Sequence, residues 1–330
     1  MASDQDFQKR IGYSGDLKPL LISILSRYDF GEYVDYEIKN NGYEDFNLIL
    51  HTSQKTVFLK CFASWRSKKD CQRYVEMIET ARVKGEVRTP TLYENKQKDF
   101  LTGVEIEGET INLAIMQFLD GGNIWESMQP ISIDEQAEII RQAARINLCE
   151  YRPIYSKDSW AIINASATYL QNKKHIDSSD KLTIENLLDQ LGKVNIDALP
   201  HSFVHGDMRS TNVMRHNDGQ IYIIDFSVAN WYPRIIELAV LFSDILFDPD
   251  NLDGFNKKYE WVIDEYRRAG ISLSFLERDL LPLFIKLGHA MSIIGSSSIA
   301  ATNYISKDEN EHWRTLGRIG LNYTVNSWRY

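Results

Sequence analysis

Residues 201–231 read HSFVHGDMRSTNVMRHNDGQIYIIDFSVANW. Two aspartates and an asparagine, Asp207, Asn212 and Asp225, stand there among apolar neighbours, close to expected strand ends. Asn217-Asp218-Gly219 carries turn chemistry between two short β-rich runs, so the chain is expected to double back as a hairpin. That fold-back brings Asn212 and Asp225 to the same end of the ladder, and Gly206 permits a tight turn ahead of Asp207. Three oxygen-bearing side chains then converge. Oxygen donors with few carboxylates suit Mg2+, a hard cation that keeps water and substrate phosphates in its shell. Asp207, set apart from the other two, is placed to accept or orient a hydroxyl proton. A lone His-Gly-Asp would read as well as a polar cap on a turn; the three elements at these spacings argue for chemistry.

The rest of the chain sets the frame for that stretch. It has 330 residues, 43% apolar and 25% charged, enough for two packed units. A composition change at Leu119-Asp120-Gly121-Gly122, where two glycines break an apolar strand, divides 1–118 from 119–330. A net charge of -9 disfavours contact with a phosphate backbone, so no nucleic-acid partner is expected, and it mildly favours a cationic small ligand. Cys61, Cys71 and Cys149 are scattered without CxxC spacing, which suggests neither a disulfide framework nor a zinc site. No early segment reads as a signal sequence and no apolar run approaches about 20 residues, which predicts a cytoplasmic protein without a membrane partner.

Before the break, DLKPLLISILSRY (16–28) is helical, and YVDYEIK, FNLILH and TVFLKCF read as strands separated by polar turns. A helix over 67–84 and two strands around a turn at 107–109 complete a five-stranded antiparallel sheet with an inserted helix. Past the break the chain is mainly helical. Ser132 with Glu135, and Ser274 with Glu277, form capping-box patterns that open two helices, the second running over 275–301. Further helices are expected at 157–171, 179–192, 233–247 and 251–268.

His205-Gly206-Asp207, Asn212 and Asp225-Phe226 form the catalytic-loop and metal-aspartate constellation of protein kinases. The pattern resembles still more closely the aminoglycoside phosphotransferase and choline kinase-like family, whose loop is His-Gly-Asp followed by Asn, with Ile-Asp-Phe downstream. That resemblance implies an α+β, protein kinase-like bilobal fold. Its small N-terminal lobe (1–118) binds nucleotide through an antiparallel sheet, and its larger helical C-terminal lobe (119–330) is catalytic and holds the acceptor. It implies ATP and Mg2+ as cofactors, with Asp207 as catalytic base and Asn212 and Asp225 as metal ligands. Lys60, alone in an apolar strand where an unpaired ammonium is costly, matches the lysine on the α- and β-phosphates. Glu76 on the following helix is its expected ion-pair partner, with Glu79 one turn away as the alternative. Gln117 and Phe118 match the backbone segment that binds the adenine edge. NNGYEDFNLIL (40–50) occupies the place of the phosphate-covering turn but is poor in glycine, and neither GxxxxGK[ST] nor GxGxxG occurs.

After Asp225 the sequence departs from protein kinases, with Ser227 following Phe226 and no APE-like anchor downstream. Glu237 and Asp244, seven residues apart, share one helical face. Either Glu237 accepts hydrogen bonds from the catalytic loop, from Arg209 or Arg234, and Asp244 is solvated, or Asp244, with Glu237 near it, faces an acceptor pocket and pairs with a substrate amine. Trp231, Tyr232, Tyr304, Glu309 and Trp313 are candidates for the wall of that pocket, and His289 reads as core. The expected partner is a small hydroxylated, cationic acceptor, and the expected assembly a monomer or homodimer. A noncatalytic nucleotide-binding module and a protein kinase are the competing readings.

Overall fold

The computed structural model describes residues 8–39, 44–127, 129–300 and 307–327. The turn at 40–42 and Tyr304 lie outside the described residues, as does the side chain of Glu309. Two compact units emerge: Met1–Arg82 with Thr89–Asp120, and Val83–Arg88 with Gly121–Tyr330.

In the first unit α1 (Leu17–Leu25) starts at Asp16, whose carboxylate accepts the Lys18 N–H. Strands β1 (Tyr33–Lys39), β2 (Phe46–Thr52), β3 (Thr56–Cys61), β4 (Thr102–Ile106) and β5 (Glu109–Gln117) form one sheet in the order β1-β2-β3-β5-β4, antiparallel throughout. Strand alternation gives the sheet two unlike faces. One face, with Leu48, Leu50, Val57, Leu59 and Leu113, packs on Leu20, Leu21 and Ile24 of α1. The other carries Lys60, opposite Asn47 on β2 and Ala114 on β5. Helix α2 (Lys68–Val83), opened by the Ser67 hydroxyl accepting the Asp70 N–H, covers part of that second face, where the Tyr74 ring meets Phe62 edge-on with the centroids 5.3 Å apart. The β4–β5 hairpin turns through Glu107 and Gly108, both at positive φ.

In the second unit β6 (Gly121–Asn123), α3 (Ile124–Ser127) and α4 (Ile133–Leu148) come first, α4 opened by a complete Ser132–Glu135 capping box. Then follow α5 (Ala165–Asn172), α6 (Ser178–Leu191), β7 (His201–Val204), β8 (Val213–His216), β9 (Ile221–Ile223) and β10 (Asn230–Pro233). Helices α7 (Ile235–Ser243), α8 (Phe255–Arg268), α9 (Phe275–Ala300) and α10 (Lys307–Ser327) complete it. Strands β6, β8 and β9 form one small sheet, and β7 pairs with β10. Helix α9 is the buried axis, packed on α5, α6, α7 and α10. Its N-terminus has the reciprocal Ser274–Glu277 bonds expected of a capping box.

Three sequence expectations change. Residues 157–161 are not helical, because Asp158 accepts the Trp160 N–H in a local turn and its carbonyl takes the Asn164 amide, leaving only Ala165–Asn172 as α-helix. A separate helix, α10, follows α9. The stretch Phe275–Ile299 does reach the length and hydropathy of a membrane span, but 83% of its apolar window is buried inside the unit, so the apolar run serves as core.

Candidate active site

The hairpin forms as its turn residues require. Val213, Met214 and Arg215 pair with Ile223, Tyr222 and Ile221, and the chain reverses through Gly219 at φ +82. One residue beyond the ladder the Ile224 N–H donates to the Asn212 carbonyl at 2.9 Å, which sets Asn212 and Asp225 at the same end. Asp225 has φ +59, a left-handed conformation that aspartate tolerates better than most residues but that still costs about 1–3 kcal/mol. Its Oδ1 accepts from the Ser227 N–H and hydroxyl, which holds the turn.

His205 ties the two halves of the stretch together. A carbonyl only accepts and an amide N–H only donates, so Nε2 carries the proton and donates to the Ile224 carbonyl at 3.0 Å, while bare Nδ1 accepts the Asp207 N–H at 3.2 Å. Burial pushes its pKa down to about 4, so the ring is neutral and structural. Gly206, at φ +77, makes the turn between them.

Asp207 is the focus. Arg209 Nε donates to its Oδ1 at 3.1 Å and Asn212 Nδ2 to its Oδ2 at 2.7 Å. Burial pushes its pKa up to about 7; Arg209 opposes that rise, and Asp225, Asp158 and Asp244 add to it. A carboxylate so placed is matched to taking up a proton near neutrality. Because Nδ2 of Asn212 is spent on Asp207, the planar amide turns its oxygen away from that carboxylate, leaving it for another partner.

Glu237 and Asp244 lie beneath this loop and are not open to an acceptor. Glu237 is fully buried; its Oε2 accepts the His205 N–H at 2.7 Å and it also takes the Gly206 N–H. Asn147 reaches both Glu237 and the Phe203 carbonyl, and receives the Tyr266 hydroxyl. Asp244 is 5% exposed; its Oδ1 accepts the Ser210 N–H at 2.8 Å and its Oδ2 lies 3.6 Å from Arg209. The seven-residue spacing expected both on one helical face, but α7 ends at Ser243 and Asp244 follows it with non-helical backbone; both carboxylates nonetheless reach the 205–210 loop. The arginines assigned to Glu237 go elsewhere: Arg234 pairs with Glu277, while Arg209 holds Asp207 and donates to Ser292 of α9. Sequence reasoning missed Asn147 and Ser292, whose partners are distant in the chain.

Of the candidate wall residues, Trp313 is buried and its ring lies 5.2 Å from that of Trp125, with His312 on the same cluster. Trp125 in turn donates its backbone N–H to the Ser210 carbonyl, so the cluster abuts the catalytic loop. Trp231 is half-buried beside Arg152, and Tyr232 is buried and bonded to Asn230. His289 is fully buried, edge-on to Phe247, and burial pushes its pKa down to about 3, as a core histidine.

In the first unit Lys60 is buried as expected, but its partner is different. Its Nζ lies 3.0 Å from Asp45 Oδ2, whereas Glu76 is exposed and accepts from Gln72, and Glu79 pairs with Arg82. The helix register explains the correction: Cys71, Tyr74, Val75 and Ile78 are buried, and Glu76 stands about 200° round the helix from Tyr74. The Gln117 N–H is spent on the Thr91 carbonyl at 2.8 Å. Phe118 lies just beyond β5 and makes no backbone hydrogen bond among the described residues.

A sequence profile of the Phosphotransferase enzyme family (APH) matches residues 38–270. The chain belongs to that family. This phosphotransferase is 24% identical over 321 residues to a homoserine kinase of Rhodopseudomonas palustris strain BisA53, covering 94% of this chain and 93% of that one. Among solved structures, an amicoumacin kinase in complex with AMP-PNP and Ca2+ superposes with a TM-score of 0.66 at 13% identity, over 95% of this chain and 94% of that one. A choline kinase from Streptococcus pneumoniae gives 0.63 at 12% identity, over 93% and 99%. The α+β, protein kinase-like fold is thereby shown, and the phosphotransferase is a small-molecule kinase.

Proposed function

We propose that this chain transfers the γ-phosphoryl group of ATP to a hydroxyl of a small, amine-bearing molecule. The observation that carries the reading is Asp207, a partly exposed carboxylate braced by Arg209 and Asn212 beside Asp225. In such a transfer the transition state is loose, so placement and charge compensation matter more than a strong nucleophile. Asp207 orients the acceptor hydroxyl and takes its proton late. Arg209 offsets negative charge next to that carboxylate, and Glu237 and Asp244 hold the loop through its backbone N–H groups.

The donor set fits Mg2+. It offers one carboxylate, Asp225, and one amide oxygen, Asn212, and among the described residues no group of three or more His, Cys, Asp or Glu would hold a metal alone. Two hard oxygens suit a cation that takes its other ligands from phosphate and water. Mg2+, when bound, supplies charge compensation to the phosphates. Asn212 and Asp225 would hold it, while Lys60 neutralises the phosphates that do not react and the Phe118 backbone meets the adenine edge.

For the acceptor, the amine rests on the net charge of -9 and on the Trp125, His312 and Trp313 rings against Ser210, which offer faces to an ammonium group. Homoserine heads the candidates because the R. palustris relative carries that name over nearly its whole length. A panel of homoserine, amino alcohols, choline, aminoglycosides and a neutral sugar, assayed for ATP-dependent phosphorylation, tests the reading. Exclusive use of the neutral sugar would overturn the amine assignment, and turnover of none would overturn the reaction.

A further inference from the structure

The lysine of the first unit is held by an acid just ahead of β2. Lys60 is 5% exposed, and an ammonium at that depth requires a counter-charge. Asp45 provides it at 3.0 Å, with a side chain only 2% exposed. The register explains the contact. Asn47 of β2 faces Lys60 across the ladder, and Asp45, in the bend one residue before β2 begins at Phe46, reaches the lysine from the end of that strand.

Asp45 is itself fixed from the β3–α2 connection. Its Oδ1 accepts the Ala63 N–H at 3.0 Å and Arg66 Nε at 2.9 Å, while Arg66 also pairs with Glu44. Burial alone would push the Asp45 carboxyl up, but Lys60, Arg66 and the Ala63 N–H outweigh it and hold it below the ordinary carboxylate range. The group Glu44, Asp45, Lys60 and Arg66 holds two charges of each sign, so it is neutral as a unit. From α2 the lysine receives the ring of Tyr74, whose centroid lies 5.0 Å from Nζ, while Glu76 is exposed beside Gln72 and Glu79 pairs with Arg82.

We infer that Asp45, held by Ala63 and Arg66, is the residue that positions Lys60 for nucleotide phosphates, and that the helix contributes an aromatic face in place of a glutamate. The inference rests on the phosphotransferase reading, in which Lys60 binds those phosphates. Asp45 is a positioning residue: it acts through Lys60 and touches no substrate. The lysine is therefore set by the sheet and its adjoining loop, and its ion pair does not depend on the rotation of α2.

A double-mutant cycle tests this, with MgADP binding followed by calorimetry on the full chain and a thermal melt for each variant. Asp45→Asn is expected to weaken MgADP binding about tenfold or more, as removal of one partner from a buried charge pair does. Lys60→Met should weaken it to a similar degree, and the double variant should bind no worse than Lys60→Met alone. Glu76→Gln should stay within about twofold of the unmodified chain. Should Asp45→Asn melt without cooperativity, Asp45→Glu takes its place in the cycle; moving the carboxylate by one methylene should weaken binding at least about threefold, and only when Lys60 is present. Additive losses in the cycle, unchanged binding in the Asp45 variants, or an equal loss in Glu76→Gln would each overturn the inference and leave the kinase reading intact. Failure of the unmodified chain to bind MgADP would instead overturn that reading, and the inference with it.

Discussion

Replacing Glu237 by glutamine should remove a pH-dependent instability while leaving the catalytic loop in place. Burial pushes the Glu237 carboxyl from 4.5 up to about 8, against the pull of the His205 and Gly206 N–H groups and the Asn147 amide. In the unfolded chain the same carboxyl ionises at its ordinary value. Between those two values the folded state therefore holds more protons than the unfolded one, and stability falls as pH rises. The contribution of the neutral buried carboxyl is complete below the unfolded value and is lost as pH passes through the folded one. At about 1.4 kcal/mol per pH unit, the shift corresponds to an upper bound of about 5 kcal/mol. Glutamine has no proton to lose, and its carbonyl oxygen can still accept the His205 N–H that Glu237 accepts at 2.7 Å. Near pH 5 the two proteins should differ by less than about 1 kcal/mol, and by about pH 8.5 the variant should be the more stable by about 2 to 5 kcal/mol. Urea unfolding at a series of pH values across that span measures the difference directly. A difference that stays flat with pH would refute the neutral carboxyl. A variant already strongly destabilised near pH 5 would show that the negative charge itself holds the loop.

Other perturbations separate the remaining roles. Asp207→Asn should lower kcat by at least about 100-fold while MgADP affinity stays within about threefold, checked by steady-state kinetics and calorimetry; matching losses in both would reject its assignment to the acceptor. Asp225→Ala should weaken nucleotide binding far more with Mg2+ present than in chelator, and equal losses in the two titrations would argue against metal ligation. Gly320→Ala should destabilise the second unit by about 1–3 kcal/mol in chemical denaturation, because the added Cβ would lie 2.1 Å from the buried His289 ring.

The fold was legible where local chemistry is strong. Alternation along β2 and β3, the Asn217-Asp218-Gly219 turn and the capping residues Ser132 and Ser274 act over a few positions, and each stands where the sequence placed it. The partner of Lys60 was not legible, because it follows from the register of two strands, which brings Asp45 near from fifteen residues away, and from the helical angle that turns Glu76 to solvent. Glu237 and Asp244 were read onto one face, yet periodicity does not say whether a face meets a pocket or a loop. The irregular stretch 157–161 was lost because the Asp158 turn competes with a helix that composition alone would allow. Helix α10 was hidden behind the long apolar run of α9, although Ser306, immediately before its first residue Lys307, and Glu309 stand in the sequence at the same capping-box spacing as Ser132 and Glu135.

The His205 ring has a mechanical consequence. It spans from the peptide preceding Asp207 to the peptide preceding Asp225 as a rigid strut of fixed length. Thermal displacement of one end is transmitted to the other, so positional errors of Asp207 and Asp225 are correlated and their separation is held against loop vibration. The strut also tolerates acid. With burial pushing its pKa down to about 4, the imidazole keeps its single proton on Nε2 through mildly acidic conditions, and both bonds persist. Loss of turnover on gentle acidification would then arise in groups other than this spacer.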